Sequence, residues 1–307
     1  MELQVFVGDR VLPISQAGVS VFDAGFQSGD AVWEGLRVYR GQVYALDDHL
    51  TRLAHSAKAL RITLPLDRRQ IGEAIAATLA ANQFSDGVHI RLMVTRGTRT
   101  TSGMDPRNAP GTGTIVIIAE SKPVEELPTP QRLRTASIRR PHPHFVDPNI
   151  HHSNQLNSIL ARLEVLDDPG VDAALMLDAD GFVAEADTAN IFCVTDGVVR
   201  TPLPTACLHG LTRGAVLRLS RELGLPTEEG RLTLFDLYTA DEVFLTGTVC
   251  ELVPVVEIDR RAIGCGTPGP VHAQLLGAYR DLVARSVAAA QLELTARAVR
   301  PPAARRS

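Results

Sequence analysis

No apolar run in the sequence approaches the roughly 18 residues a membrane-spanning helix requires. Residues 1–11 alternate polar and apolar side chains and lack the basic-then-apolar order of a secretory signal. Neither a membrane partner nor export is expected, and the chain reads as cytoplasmic. Cysteine is sparse: Cys193, Cys207, Cys250 and Cys265 stand apart without a CxxC pair, as reduced thiols do, and a disulfide framework is not expected. Basic runs stop at pairs such as Arg305-Arg306, and 31 Lys and Arg against 35 Asp and Glu leave a net charge of −4. A polyanion finds no electrostatic footing there, which excludes nucleic acid as a partner. No internal repeat is visible. Lysine is nearly missing, represented by Lys58 and Lys122 alone.

What is present suffices for two modest cores or one large one: 307 residues, 45% of them hydrophobic. Asp47-Asp48 are expected to cap a helix whose apolar residues Leu50, Leu53, Ala57 and Leu60 fall at helical spacing, and residues 71–79 repeat that pattern. Val88, Ile90, Leu92 and Val94 then alternate with His89, Arg91, Met93 and Thr95, the period of a half-buried strand that puts His89 and Arg91 on one face. A further strand is expected over 114–119, and the Pro- and Glu-rich 120–131 reads as a connection. Beyond it, Asp180-Gly181 and Asp196-Gly197 sit between apolar runs as hairpin turns do, predicting a largely antiparallel second part. Helices are expected over 212–223 and 270–288, with a strand at 242–245 between them.

The block Gly29-Asp30-Ala31-Val32-Trp33-Glu34-Gly35-Leu36-Arg37-Val38-Tyr39, followed by Asp48-His49-Leu50-Thr51-Arg52-Leu53, resembles the opening of the class IV (fold type IV) pyridoxal-phosphate aminotransferases. Asp180-Gly181-Phe182-Val183-Ala184-Glu185, Ala189-Asn190-Ile191-Phe192, His209-Gly210-Leu211-Thr212-Arg213 and Thr246-Gly247-Thr248 resemble that family's remaining blocks, in order. The resemblance covers roughly residues 2–290 and lies nearest the branched-chain aminotransferase-like group. It implies an α/β (α+β) fold: a small α/β domain over 1–120, a connector over 121–133, a larger β-barrel-like domain over 134–290, and a disordered tail over 291–307. It also implies a homodimer, with the site in the cleft between domains.

The same resemblance implies a phosphate cup for pyridoxal or pyridoxamine 5'-phosphate, formed by Arg52, Leu211, Thr212, Gly247 and Thr248. The chemistry of these residues agrees. Arg52 offers a planar fork, the helix start at Leu211 offers unpaired N–H groups at a positive dipole end, and Gly247 permits close backbone approach. Glu185, beside Asn190, matches the carboxylate that pairs with the cofactor's pyridine nitrogen.

One position departs from the family. Where a lysine precedes the helix and links covalently to the cofactor, this chain reads Ile150-His151-His152-Ser153-Asn154-Gln155-Leu156-Asn157, so His151 stands for the lysine and Gln155 for a tyrosine. Imidazole cannot form that link, and neither Lys58 nor Lys122 matches the position. A histidine retains the lysine's second task, moving a proton, and a helix starting near Ser153 is expected to keep it neutral. The expected function is therefore an aminotransferase-like enzyme that binds its cofactor noncovalently, with His151 as catalytic base. Trp33, Arg91 and the backbone at Val249 match places that receive an amino acid or keto acid in the branched-chain group; Trp33 stands where a phenylalanine is common, and Ser28 where some members have tyrosine. Two other readings compete. One is a non-catalytic binder of a phosphorylated or carboxylated metabolite. The other is a metal site drawn from His142, His144, His151 and His152 beside Asp147, although their spacing matches no familiar ligand set.

Overall fold

The structure is a computed structural model that describes residues 2–299. Its first half builds a six-stranded sheet. β1 (Gln4–Val7) and β2 (Arg10–Pro13) form a hairpin, and a short α1 (Ala24–Ser28) leads into the long β3 (Ala31–Tyr39) and β4 (Gln42–Val43). Helices α2 (Leu46–Ala59) and α3 (Arg68–Ala81) follow, then β5 (Val88–Thr95) and β6 (Ile115–Ser121). The strand order is β2-β1-β6-β5-β3-β4, with every pairing antiparallel.

The apolar spacing read in α2 is the spacing that packs: Leu50, Leu53 and Ala57 are buried against Val32, Leu36 and Ile90 of the sheet. The helix starts differently from expectation, at Leu46 after Ala45, which has φ 51° and makes no side-chain cap. Asp47 and Asp48 lie inside the first turn, where a negative charge still favours the helix dipole. α3 does carry a reciprocal cap, Asp67 with Gln70.

The second half builds a nine-stranded sheet from β7 (Gln131–Thr135), β8 (Ala173–Leu177), β9 (Val183–Ala186), β10 (Asn190–Thr195), β11 (Val198–Pro202), β12 (Thr227–Gly230), β13 (Glu242–Gly247), β14 (Glu251–Ile258) and β15 (Arg261–Ala262). Helix α4 (Leu156–Val165) joins β7 to β8, α5 (Leu211–Glu222) joins β11 to β12, and α6 (Leu234–Tyr238) precedes β13. β7 begins at Gln131, inside the segment expected as a connector. Both Asp-Gly hairpins are present, and Asp196 and Gly197 take φ 51° and 75°, the paired positive φ such two-residue turns need.

The expectation of a largely antiparallel sheet holds for five of its eight pairings, and the other three are parallel. β7 runs parallel to both β14 and β8, and β11 runs parallel to β12. Helical crossovers reverse the chain between those strands, and apolar periodicity carries no information on strand direction. The sheet curls as a half-barrel, and the α/β class holds. The closing helix α7 (Pro270–Val299) packs Leu275, Tyr279 and Val283 beside α5 and passes the expected end at 288. The disordered tail expected over 291–307 is corrected over 291–299, which continue α7, and residues 300–307 lie outside the described residues. No helix among the described residues is long and apolar enough to cross a membrane.

Candidate active site

A cavity of about 680 Å³ opens where the two sheets meet. All the residues singled out above for cofactor, substrate or catalysis line it: Trp33, Arg52, Arg91, His151, Glu185, Asn190, Leu211, Thr212, Gly247, Thr248 and Val249. Residues far apart in sequence are gathered at one wall because β3, β9 and β13 all reach it.

One end of the cavity is built for an anion. Arg52, on α2, grips the Glu34 carboxylate through Nε and Nη2 and donates Nη1 to the His209 carbonyl (3.1 Å), which ties it to the loop before α5 and leaves one N–H over on each terminal nitrogen. α5 starts at Leu211 after Gly210 with no side-chain cap, so its first N–H groups are available to a ligand. Gly210 lies so close to Asn190 that a Cβ there would fall 2.0 Å from Asn190 Oδ1. Nearby, Thr246 Oγ1 is buried without a partner among the described residues. A fixed cation, uncapped helix N–H groups and an orphaned hydroxyl form the donor set that a phosphate group requires.

Glu185, 6% exposed, lies toward the β9–β10 turn. Its Oε1 is 2.7 Å from Arg140 Nη2, and its Oε2 accepts from Asn190 Nδ2 (3.0 Å) and the Leu208 N–H (3.3 Å). Burial nonetheless pushes the carboxyl up to about 7, outweighing Arg140 and the Leu208 N–H. A buried acid poised there is suited to face a cationic ring nitrogen.

His151 is fixed by its backbone. The Trp33 N–H donates to the His151 carbonyl (2.9 Å), the Ser153 N–H to the Ala31 carbonyl (2.8 Å), and Val32 bridges His152, so this segment docks on the edge of β3 that β4 leaves unpaired. The His151 N–H donates to Ser56 Oγ on α2 (3.0 Å). Its imidazole packs against Trp33 at a tilt of 38°, centroids 4.2 Å apart, and Arg91 lies over the Trp33 ring at 4.1 Å. Nδ1 stands 3.3 Å from Glu34 Oε1, at ion-pair distance but without hydrogen-bond alignment. Burial holds the imidazole's pKa below its ordinary value; Arg52 and His49 push the same way and Glu34 opposes. The helix-end cause expected from the sequence is corrected, because α4 begins only at Leu156. Gln155 donates to the His152 carbonyl.

Sequence reasoning missed three residues here. Glu34 shares the buried register of Val32, Leu36 and Val38 on β3, and an acid among core positions was the available signal. His49 beside Glu34 and Arg140 beside Glu185 carried no local signal, since their importance depends on partners distant in sequence. Neither lysine lines the cavity: Lys58 is exposed on α2, and Lys122 Nζ lies 3.4 Å from His89 Nδ1 and 3.1 Å from Glu120 Oε2. The metal reading fails on geometry. His142 and His144 are exposed with rings 4.7 Å apart, His151 and His152 line the cavity, and no group of three His, Cys, Asp or Glu among the described residues can hold a metal ion.

Fold and cavity together define the class: the sequence model of amino-transferase class IV matches residues 31–258, and this chain belongs to that family. Within it the similarity runs to the branched-chain side. Branched-chain-amino-acid aminotransferase-like protein 2 of Arabidopsis thaliana is 47% identical over 282 residues, covering 92% of this chain and 50% of the relative. A putative branched-chain-amino-acid aminotransferase of Methanocaldococcus jannaschii is 40% identical over 281 residues, covering 91% of this chain and 96% of the relative. The chain thus spans about half the length of its plant relatives. Among solved structures, the branched-chain amino acid aminotransferase of Thermobaculum terrenum in its PLP form matches with a TM-score of 0.80 at 29% identity, covering 92% of this chain and 94% of that one.

Proposed function

We propose that this chain is a class IV aminotransferase-like enzyme that holds pyridoxal or pyridoxamine 5'-phosphate noncovalently and acts on an amino acid or keto acid, with His151 as the proton-transfer base. The observation that carries the reading is that His151 is pinned to the wall of a cavity that keeps an anion cup and a buried Glu185 but has no lysine among the described residues of its lining. Arg52, the Leu211 and Thr212 N–H groups and Thr248 would hold the phosphate, with Gly247 allowing its approach. Glu185, oriented by Arg140 and Asn190, would face the ring nitrogen. When bound, the cofactor supplies a conjugated ring that takes up the electron pair released at the substrate's α carbon.

His151 would take the proton from that carbon and deliver it to the cofactor carbon that carries the amino nitrogen, a task that suits an imidazole kept neutral by burial. Arg91 has no carboxylate in ion-pair contact among the described residues and is available to take the substrate's, while Trp33 shapes the wall beside it. The Val249 carbonyl already accepts from Arg37 Nη1 (2.9 Å), so its N–H is the group left for substrate. A homodimer accords with α4, which buries Ser158, Ala161 and Val165 but leaves Leu156, Ile159, Leu160 and Leu163 exposed along one stripe.

Borohydride reduction in the presence of pyridoxal phosphate, followed by peptide mass spectrometry, tests the noncovalent reading. The parent should release unmodified cofactor on denaturation, and His151→Lys should carry it on residue 151. A reduced adduct on Lys122 or Lys58 of the parent would overturn the reading.

A further inference from the structure

Resting on the reading of His151 as base, we infer that Glu34 is its positioning residue: the carboxylate accepts a hydrogen bond from the Nδ1–H of His151 and so leaves Nε2 as the nitrogen that accepts a proton in the cavity.

The geometry of Glu34 leaves room for one further donor. A carboxylate offers about four acceptor directions. Arg52 fills two, Nε to Oε1 at 2.8 Å and Nη2 to Oε2 at 2.6 Å, and His49 Nδ1 fills a third on Oε2 at 2.7 Å. The remaining direction is on Oε1, the atom 3.3 Å from His151 Nδ1. Glu34 is fully buried on the core face of β3, so no water shell competes for it.

From the other side, His151 Nδ1 is buried and unpartnered among the described residues, which is costly unless a small ring rotation closes that gap. The charges around the ring agree on the proton's place. Glu34 approaches from β3, His49 and Arg52 from α2, and Arg91 of β5 from beyond the Trp33 ring; His152 is the next residue along the chain. Burial opposes the ionisation of Glu34, but the hydrogen bonds from Arg52 and His49, with the His151 ring alongside, hold it well below the ordinary carboxylate range. An ionised carboxylate only accepts, so the nitrogen facing it must donate. A neutral imidazole has one N–H, and with that proton on Nδ1 the lone pair falls on Nε2.

Histidine-selective ¹⁵N labelling with NMR of the whole protein reads this directly, without turnover. The His151 signals, assigned by their loss in His151→Ala, should report the Nδ1–H tautomer for the neutral ring. In Glu34→Gln that tautomer bias should weaken and the protonation midpoint of His151 should fall, because the carboxylate that favours the cation is gone. Turnover in Glu34→Gln should drop on the order of 10²-fold, and Glu34→Asp, which keeps the charge, should recover part of it. An Nε2–H tautomer in the parent overturns the inference even if no Glu34 variant folds. An unchanged tautomer and midpoint in Glu34→Gln overturns it as well. Full turnover in His151→Ala would retire the base reading instead, while the NMR result would still judge the role of Glu34.

Discussion

Glu185 carries opposing demands, burial that favours its neutral form and Arg140 that favours its charge, and burial prevails. In the unfolded chain its carboxyl titrates near 4.5, and in the fold near 7. The fold therefore binds an extra proton between those values, so this stabilising contribution is complete below about 4.5 and is lost as pH rises through about 7. The isosteric Glu185→Gln has no such proton to lose. Scanned without cofactor from acid to mildly alkaline pH, the parent's Tm should fall relative to the variant's across that window; a constant difference would show that burial does not govern Glu185. Residues of this kind were legible because short motifs name them: Arg52 in a helix block, Glu185 after an Asp-Gly turn, Thr212 at a helix start. Glu34, His49 and Arg140 were not, because each acts through a partner that only the fold brings near.

At the scale of elements, the start of α5 is the most constrained joint, since Gly210 both caps the helix and abuts Asn190. Gly210→Ala would set a methyl group 2.0 Å from Asn190 Oδ1 and push Asn190 off Glu185. Overpacking of this kind costs about 1–3 kcal/mol, so chemical denaturation should show a loss in that range, together with weaker pyridoxal phosphate binding. A variant of parental stability and affinity would refute that joint. α2, α3, α5 and β5 were legible, as their one-sided burial leaves a period in the sequence. β7 and β14 were not. β14 is buried through most of its length and so shows no alternation, and the partners of β7 are chosen by crossovers through distant helices. The docking of residues 151–153 on β3 is a backbone event and leaves no side-chain pattern to read.

For the whole molecule, two sheets with separate cores enclose a single wall of chemistry, and the exposed apolar stripe of α4 suits a second copy of the chain. Light scattering at micromolar concentration should report a dimer for the parent and a monomer for Leu160→Glu combined with Leu163→Glu; a monomeric parent would refute the dimer. The central claim, that His151 moves the proton in a cavity that holds its cofactor without a covalent bond, meets its most direct test in a single-turnover measurement. Pyridoxamine-phosphate-loaded protein is mixed with a 2-keto acid, and amino transfer is followed in the parent and in His151→Ala. Transfer in the variant should be slower by roughly 10²- to 10⁴-fold, the usual contribution of a positioned base, with cofactor affinity nearly unchanged because Arg52, Thr212 and Thr248 are untouched. Equal rates in the two proteins would contradict the account.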